Sequence, residues 1–143
     1  MPIDHHYEKD TRVKATTDHD TIRRWAAERG GSPARARILS ASGQADRMSG
    51  MLRIDFQGGQ GILEPITWES FFEVFDYRHF FFLYQETTGT ATSRFYSILS
   101  RTPSREHPHP VREALTETNR RFGADAQWID EVAHKLEEGD DLL

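Results

Sequence analysis

The clearest pattern in the first half of the chain is an apolar stripe with the spacing of a helix. Its members stand at i, i+3 and i+4, and they are Ile22, Trp25 and Ala26. Thr17 precedes the stripe as a predicted N-cap with acidic residues in the first turn, and Gly30 follows it as a helix-ending residue. The pattern therefore predicts a helix that begins at 17–20 and ends before Gly30.

A second stripe predicts a helix that begins near Thr67 and ends around 76–78, with apolar positions at Trp68, Phe71, Phe72 and Phe75. Four further segments have the composition or alternation of strands, and they are 36–41, 51–56, 80–85 and 93–100. The third of these is apolar on both faces, which favours a central position in a sheet. Residues 87–92 connect it to the fourth strand as a predicted hairpin.

The order of these elements is helix, two strands, helix, two strands. The simplest architecture is α+β, with two helices packed on one face of a small antiparallel sheet. A linker rich in proline and histidine follows, and then two C-terminal helices are predicted at 111–122 and 125–138. The predicted organisation is a flexible N-terminal arm at 1–15, a core domain at 16–101, the linker at 102–110 and a helical tail with an acidic C-terminus at 111–143.

Composition narrows the class of protein. A chain of 143 residues is long enough for one domain with a hydrophobic core, and the absence of cysteine excludes disulfides, thiolate metal sites and cysteine nucleophiles. The first ten residues carry charges throughout and lack the apolar segment of a signal peptide. No apolar run approaches the ~20 residues of a membrane span. We therefore expect a soluble, cytoplasmic protein that does not contact a membrane.

Charge is unevenly distributed along the chain. The net charge is −5, but residues 125–143 hold seven acidic residues against one lysine, so residues 1–124 carry +1. The segment 29–53 contains five arginines and a single acidic residue, which is an aspartate. If the arginines of residues 23–53 lie on one face, they would suit the binding of phosphates or other anions. They are Arg23, Arg24, Arg29, Arg35, Arg37, Arg47 and Arg53. A solvated surface with ordinary ion pairs, such as Arg24 with Glu28, is the other interpretation, and the acidic pI of 5.8 favours it.

No motif for catalysis, a cofactor or a metal is present. Asp18, His19 and Asp20 fall in the first turn of a predicted helix, where adjacent side chains point in different directions. The paired histidines of the arm and of the linker lack the spacing of a zinc site. The glycine-rich run at 58–61 lacks a phosphate-binding pattern. The sequence thus predicts no catalytic residues, no cofactor and no metal, and it leans against an enzyme.

Several ordered motifs resemble those of one family. They are TTDHDTIRRWAAERGGSPA at 16–34, MLRIDF at 51–56, ITWESFFEVFD at 66–76, FLYQE at 82–86 and SRF with LSR within 93–101. Together they resemble a family of small uncharacterised bacterial proteins, some of which carry an automatic glucan-branching-enzyme label. The resemblance covers about residues 16–101. It implies no established activity and no functional residues.

The strand at 80–85 supplies apolar side chains to both faces, whereas the two predicted helices cover one face of the sheet. The second face would need the C-terminal helices or another subunit. The predicted interface residues are Phe80, Phe82, Tyr84, Trp128, Ile129, Val132 and Leu136. The first hypothesis for function is therefore a non-enzymatic interaction or regulatory module that self-associates. The alternatives are a nucleic-acid-associated protein that uses the arginines, and a small-molecule-binding protein or enzyme with a site beside the loop at 58–61.

Overall fold

A computed structural model describes residues 11–36, 52–56, 63–88 and 91–138. The chain divides into two compact units, which we call the insert unit (Asp18–Arg78) and the host unit (Met1–Thr17 with His79–Leu143). The insert unit is continuous in sequence, and the host unit is formed from the segments on either side of it. Within the described residues none of the helices is long and apolar enough to cross a membrane.

The elements run in chain order as β1 (Val13–Thr16), α1 (His19–Glu28), β2 (Ser32–Ala36), β3 (Leu52–Asp55), β4 (Leu63–Pro65), α2 (Trp68–Tyr77), β5 (Phe80–Gln85), β6 (Thr87–Thr88), β7 (Ala91–Thr92), β8 (Tyr96–Ser100), α3 (Pro110–Thr118) and α4 (Ala126–Glu138). The strands pair as two three-stranded antiparallel sheets, with orders β3-β2-β4 and β1-β5-β8, and as the two-stranded ribbon β6-β7.

In the insert unit, the N-cap of helix α1 lies one residue later than predicted, and the helix begins at His19. The cap is Asp18 rather than Thr17, because the Asp18 carboxylate accepts hydrogen bonds from the Thr21 backbone N–H (2.9 Å) and the Thr21 hydroxyl (2.7 Å). These bonds hold the pKa of Asp18 below its ordinary value. The helix ends as predicted at the glycines, where Gly30 N–H bonds the Ala27 carbonyl and Gly31 N–H bonds the Ala26 carbonyl, with Gly30 at a φ of 73°.

The core of the insert unit takes its side chains from both helices and from its sheet. Apart from the half-buried Trp68, the predicted stripes are buried, and the buried apolar residues are Ile22, Trp25, Ala26, Ala34, Leu52, Ile54, Phe71, Phe72 and Phe75. Thr67, at the predicted start of α2, caps this helix by accepting a hydrogen bond from the Ser70 N–H at 3.0 Å. Gly31 permits close packing of β3, because a Cβ at this position would lie 2.6 Å from Ile54 Cγ2.

In the host unit, β5 is the central strand, as its two apolar faces predicted. One face carries Phe81 and Leu83, and helices α3 and α4 cover it with a core cluster that comprises Val13, Phe81, Leu83, Val111, Leu115, Ile129 and Ala133. On the opposite face Phe82 is fully buried and stacks against Tyr84 and Tyr96, with ring centroids 5.9 and 5.8 Å apart. The predicted hairpin at 87–92 is confirmed by the pairing of β6 with β7.

The predicted α+β class is confirmed, with four helices and small antiparallel sheets among the described residues. The prediction of one sheet is wrong, since the strands before and after α2 belong to different sheets.

The predicted arm at 1–15 overlaps β1, a strand that pairs with β5. The predicted tail at 111–143 belongs to the same unit as β5 and β8. β2 covers Ser32–Ala36, so it begins earlier than the strand predicted at 36–41, and residues 37–41 lie outside the described residues.

Candidate interaction site at a sheet edge

The host sheet has two edge strands with different surroundings. Its order places β5 in the middle, so that β1 and β8 each have one side without a neighbouring strand in the described sheet. Backbone N–H and C=O groups on such a side can pair with another chain unless they are covered. The two edges therefore determine where a partner strand can add.

At the β1 edge, one side chain takes the position of a missing strand. Asn119, at the C-cap of α3, accepts a hydrogen bond from the Val13 N–H at 2.8 Å and donates to the Val13 carbonyl at 2.9 Å. It donates a third bond to the Leu115 carbonyl at 3.0 Å, and only 2% of the residue is exposed. Both outward groups of Val13 are satisfied in this way, so this part of the edge is closed.

At the β8 edge, the register shows which backbone groups point outward. Arg101 N–H donates to the His79 carbonyl at 2.7 Å, and Phe80 pairs with Ser100. Because hydrogen-bonded and non-hydrogen-bonded pairs alternate along an antiparallel ladder, Leu99 directs its backbone groups towards β5. Those of Ile98 and Ser100 point away from β5, and no strand of the described chain pairs with β8 on that side.

The side chains of β8 do not protect this edge. The strand reads Tyr-Ser-Ile-Leu-Ser and contains neither a charged residue nor proline, the residues that commonly protect edges. Leu99 pairs with Phe81, so it stands on the sheet face that α3 and α4 cover, but it remains 39% exposed. Phe95, which precedes the strand, is 40% exposed. Apolar surface and open backbone groups thus occur together at β8.

Helices α3 and α4 are joined by a hydrogen-bonded cap. His109, at the N-cap of α3, makes no side-chain capping bond. Instead, a carboxylate oxygen of Glu137 on α4 accepts hydrogen bonds from the N–H groups of Val111 (2.9 Å) and Arg112 (3.3 Å). Glu137 is thus a cap for the neighbouring helix, at the end of α3 that receives negative charge favourably.

We expect Glu137→Ala to lower the free energy of unfolding by about 1 kcal/mol, because two first-turn N–H groups lose their acceptor. Urea denaturation followed by circular dichroism measures the change. Glu131→Ala, on an exposed position of the same helix, is the matched control and should change the free energy by less than about 0.5 kcal/mol. Equal effects of the two substitutions would contradict a capping role for Glu137.

The described arginines of the predicted anion-binding set each have a protein partner. Arg23 pairs with Asp20, Arg24 with Glu28 at 3.3 Å, and Arg35 with Glu64 at 2.7 Å. Arg29 is buried over the Trp25 ring, 4.4 Å from its centroid, and donates to the Trp25 carbonyl, while Arg53 donates to the Leu52 carbonyl. Arg37 and Arg47 lie outside the described residues.

These arginines do not share one face of the insert sheet. Arg35 is the cross-strand partner of Leu52, whereas Arg53 is the partner of Ala34. Cross-strand partners in an antiparallel sheet lie on the same face and successive residues alternate, so Arg35 and Arg53 lie on opposite faces. The expected single arginine surface is therefore not formed by these two strands.

Most of the predicted interface residues are packed within the host unit. Phe82 is fully buried, Tyr84 is 8% exposed and Ile129 is part of the core cluster. Val132 and Leu136 pack against that cluster, as does Trp128, whose ring lies under the Arg12 guanidinium at 4.5 Å from the centroid. Phe80 is half-buried at the start of β5. The stripe of α4 thus docks on its own sheet.

The polar clusters of the sequence have local partners. His19 Nε2 lies 3.0 Å from an Asp76 carboxylate oxygen, and its ring stacks on Phe72 at 4.0 Å. His107 Nδ1 lies 2.8 Å from Glu113 Oε1, and this hydrogen bond lowers the pKa of Glu113. No group of three or more histidine and carboxylate side chains in the described part of the chain is arranged to hold a metal ion. His5, His6 and the loop at 58–61 lie outside that part.

Comparison with protein-family models, with curated proteins and with solved structures finds no match to this chain. The family resemblance of residues 16–101 therefore stays a prediction, and the functional argument depends on the geometry of the chain alone.

Proposed function

We propose that this chain is a non-enzymatic, cytoplasmic interaction module that self-associates by pairing the β8 strands of two copies. The observation that carries the proposal is the contrast between the two edges of the host sheet. At the β1 edge Asn119 forms hydrogen bonds with the backbone N–H and carbonyl of Val13. At the β8 edge the outward backbone groups of Ile98 and Ser100 pair with no strand of the described chain.

A two-fold axis perpendicular to the sheet suits this edge. Antiparallel pairing about that axis would place Ile98 of each copy opposite the other and would join the two sheets as six strands. The axis also keeps equivalent faces on the same side, so the exposed Leu99 side chains of both copies would lie near each other between the two α3 helices. Apolar surface that is exposed in one copy would be covered in the pair.

The interface would be small, because β8 has only five residues. Interfaces that bury less than about 1,200 Å² are typical of weak or transient complexes. We therefore expect a reversible dimer with a dissociation constant on the order of 1–100 μM, in which case the state of the chain depends on its concentration. Reversible pairing of this kind fits a module whose association is regulated.

We expect Ile98→Lys to abolish the dimer, because it would place two ammonium groups opposite each other on the paired strands. Light scattering and sedimentation velocity between about 5 and 500 μM measure the mass. Ile98→Thr is the matched control, since threonine also loses apolar contact but keeps a β-branched, uncharged side chain. It should weaken the dimer without abolishing it.

A wild-type chain that remains monomeric at the highest concentration would contradict the proposal. A dimer that Ile98→Lys leaves intact would contradict the assignment to β8. Circular dichroism of each variant must match that of the wild type, because this check separates loss of pairing from loss of folding.

A further inference from the structure

A groove opens beside β8 on the face of the host sheet that carries α3. Its volume is about 660 Å³, within the range of about 300–1,000 Å³ that is typical of small-molecule sites. Its apolar lining includes Phe81, Leu99, Pro110 and Ala114. All of these residues belong to the host unit.

The packing of α3 explains why the groove exists. Val111 and Leu115 anchor the helix over Val13 and Phe81, so α3 covers β1 and β5. Strand β8 lies on the other side of β5, and its Leu99 is not part of the core cluster and remains 39% exposed. The gap between α3 and β8 is the groove.

The segment between β8 and α3 is held in a defined turn at one side of this gap. Ser104 N–H donates to the His107 carbonyl at 3.0 Å, and His107 N–H donates to the Ser104 hydroxyl at 3.0 Å. Glu113 ties the same segment to the helix through His107 Nδ1. These bonds hold the groove in a defined shape before a ligand binds, which reduces the entropic cost of binding.

The charged side chains of the groove are mainly acidic. Glu113 and Glu117 line it from successive turns of α3, and neither lysine nor arginine is among the lining residues. Glu113 is hydrogen-bonded to His107, and Glu117 Oε1 also lies 2.7 Å from Arg120, a residue outside the lining. An apolar floor beside two carboxylates complements a ligand that has an apolar body and a positive charge.

We propose that this groove binds small apolar amines, with the apolar body over Leu99 and Ala114 and the ammonium group near the carboxylate of Glu117. The site lies within one copy of the chain and does not depend on self-association. Ile98 pairs with Phe82 and so stands on the opposite face of the sheet from Leu99. Its substitution therefore leaves the groove intact.

Tryptamine and indole-3-propionate are matched probes, since they share the indole ring and differ in the sign of their charge. Two-dimensional NMR titration of the full chain measures binding through the chemical shifts of the amides of Leu99, Ser100, Ala114 and Glu117. We expect tryptamine to shift these signals with a dissociation constant of about 1 mM, the affinity typical of a ligand this small. Indole-3-propionate should bind at least several-fold more weakly.

Glu117→Gln should weaken tryptamine binding about two- to fivefold, which is the effect of one exposed ion pair. Glu131→Gln, on an exposed position of α4, should leave the affinity unchanged. Equal binding of the two probes, equal effects of the two substitutions, or no shift with tryptamine would overturn the proposal. The Ile98→Lys variant, which is expected to stay monomeric, should bind tryptamine at least as tightly as the wild type, because pairing of β8 covers part of Leu99. Tryptamine binding by this variant therefore tests the groove separately from self-association.

Discussion

The Asn119→Leu variant is expected to lose about 2–4 kcal/mol of unfolding free energy, because three hydrogen bonds of a buried side chain disappear together. Leucine has the same number of side-chain heavy atoms and the same branching at Cγ, but it leaves the N–H and carbonyl of Val13 without their side-chain partner. Each buried polar group that loses its partner costs about 1–3 kcal/mol. Chemical denaturation at low protein concentration measures the loss.

Arg120→Leu is the matched control, since it places the same side chain at the next position of the chain. Arg120 is exposed, with its guanidinium on Glu117, so this substitution should change the free energy by about 0.5 kcal/mol or less. Asn119→Leu should also increase association, because opening the β1 edge would give each chain a second strand for pairing. A stability equal to that of Arg120→Leu would rule out the capping role of Asn119.

Leu115→Ala is expected to cost about 2–5 kcal/mol of unfolding free energy. Leu115 is fully buried in the cluster that joins α3 to Val13, Phe81 and Leu83. Truncation to alanine would leave a cavity at the centre of this layer, and the surrounding backbone can close it only partly. The same measurement therefore tests whether the C-terminal helices are an integral part of the host unit.

Thr116→Ala provides the comparison for Leu115→Ala, because Thr116 is the adjacent, exposed residue of the same helix. Its effect should stay within about 0.5 kcal/mol. If Leu115→Ala lowered the unfolding free energy by less than about 1 kcal/mol, α3 would not pack on the sheet. The groove beside β8 would then lack the side that α3 forms.

The elements with strong local patterns could be predicted from the sequence. Apart from the half-buried Trp68, the stripes around Trp25 and Phe71 are buried as their spacing indicated, and Thr67 and Gly30 mark helix ends as expected. The two apolar faces of 80–85 indicated the central strand. These features depend on neighbours within a few residues, so the sequence contains nearly all the information that defines them.

The division into two sheets could not be predicted in the same way. Val13 pairs with Gln85, and the whole insert unit lies between them in sequence. The alternation of β1 covers only four residues, which is too short to identify a strand or its partner, and the pairing depends on packing under α3. Pairing between such distant segments is not encoded in the local period, which explains why the prediction placed all strands in one sheet.

The candidate site was missed for a related reason. Residues 95–100 are free of charge between Arg94 and Arg101, and this was a usable signal of an unprotected edge. The signal has no meaning until β8 is known to be an edge strand. The role of Asn119 was not predictable, because its two bonds reach a residue 106 positions away. The predicted association is retained as a proposal, but its location moves from the predicted residues of β5 and α4 to β8.

Amide hydrogen exchange at Ile98 and Ser100, measured by NMR as a function of protein concentration, tests the central claim most directly. Pairing of two β8 strands predicts that both amides become more protected as concentration rises, whereas the amide of Leu99, which bonds within the sheet, stays protected throughout. In the Ile98→Lys variant the Ser100 amide should exchange rapidly at every concentration. Rapid, concentration-independent exchange of Ile98 and Ser100 in the wild type would contradict self-association through β8.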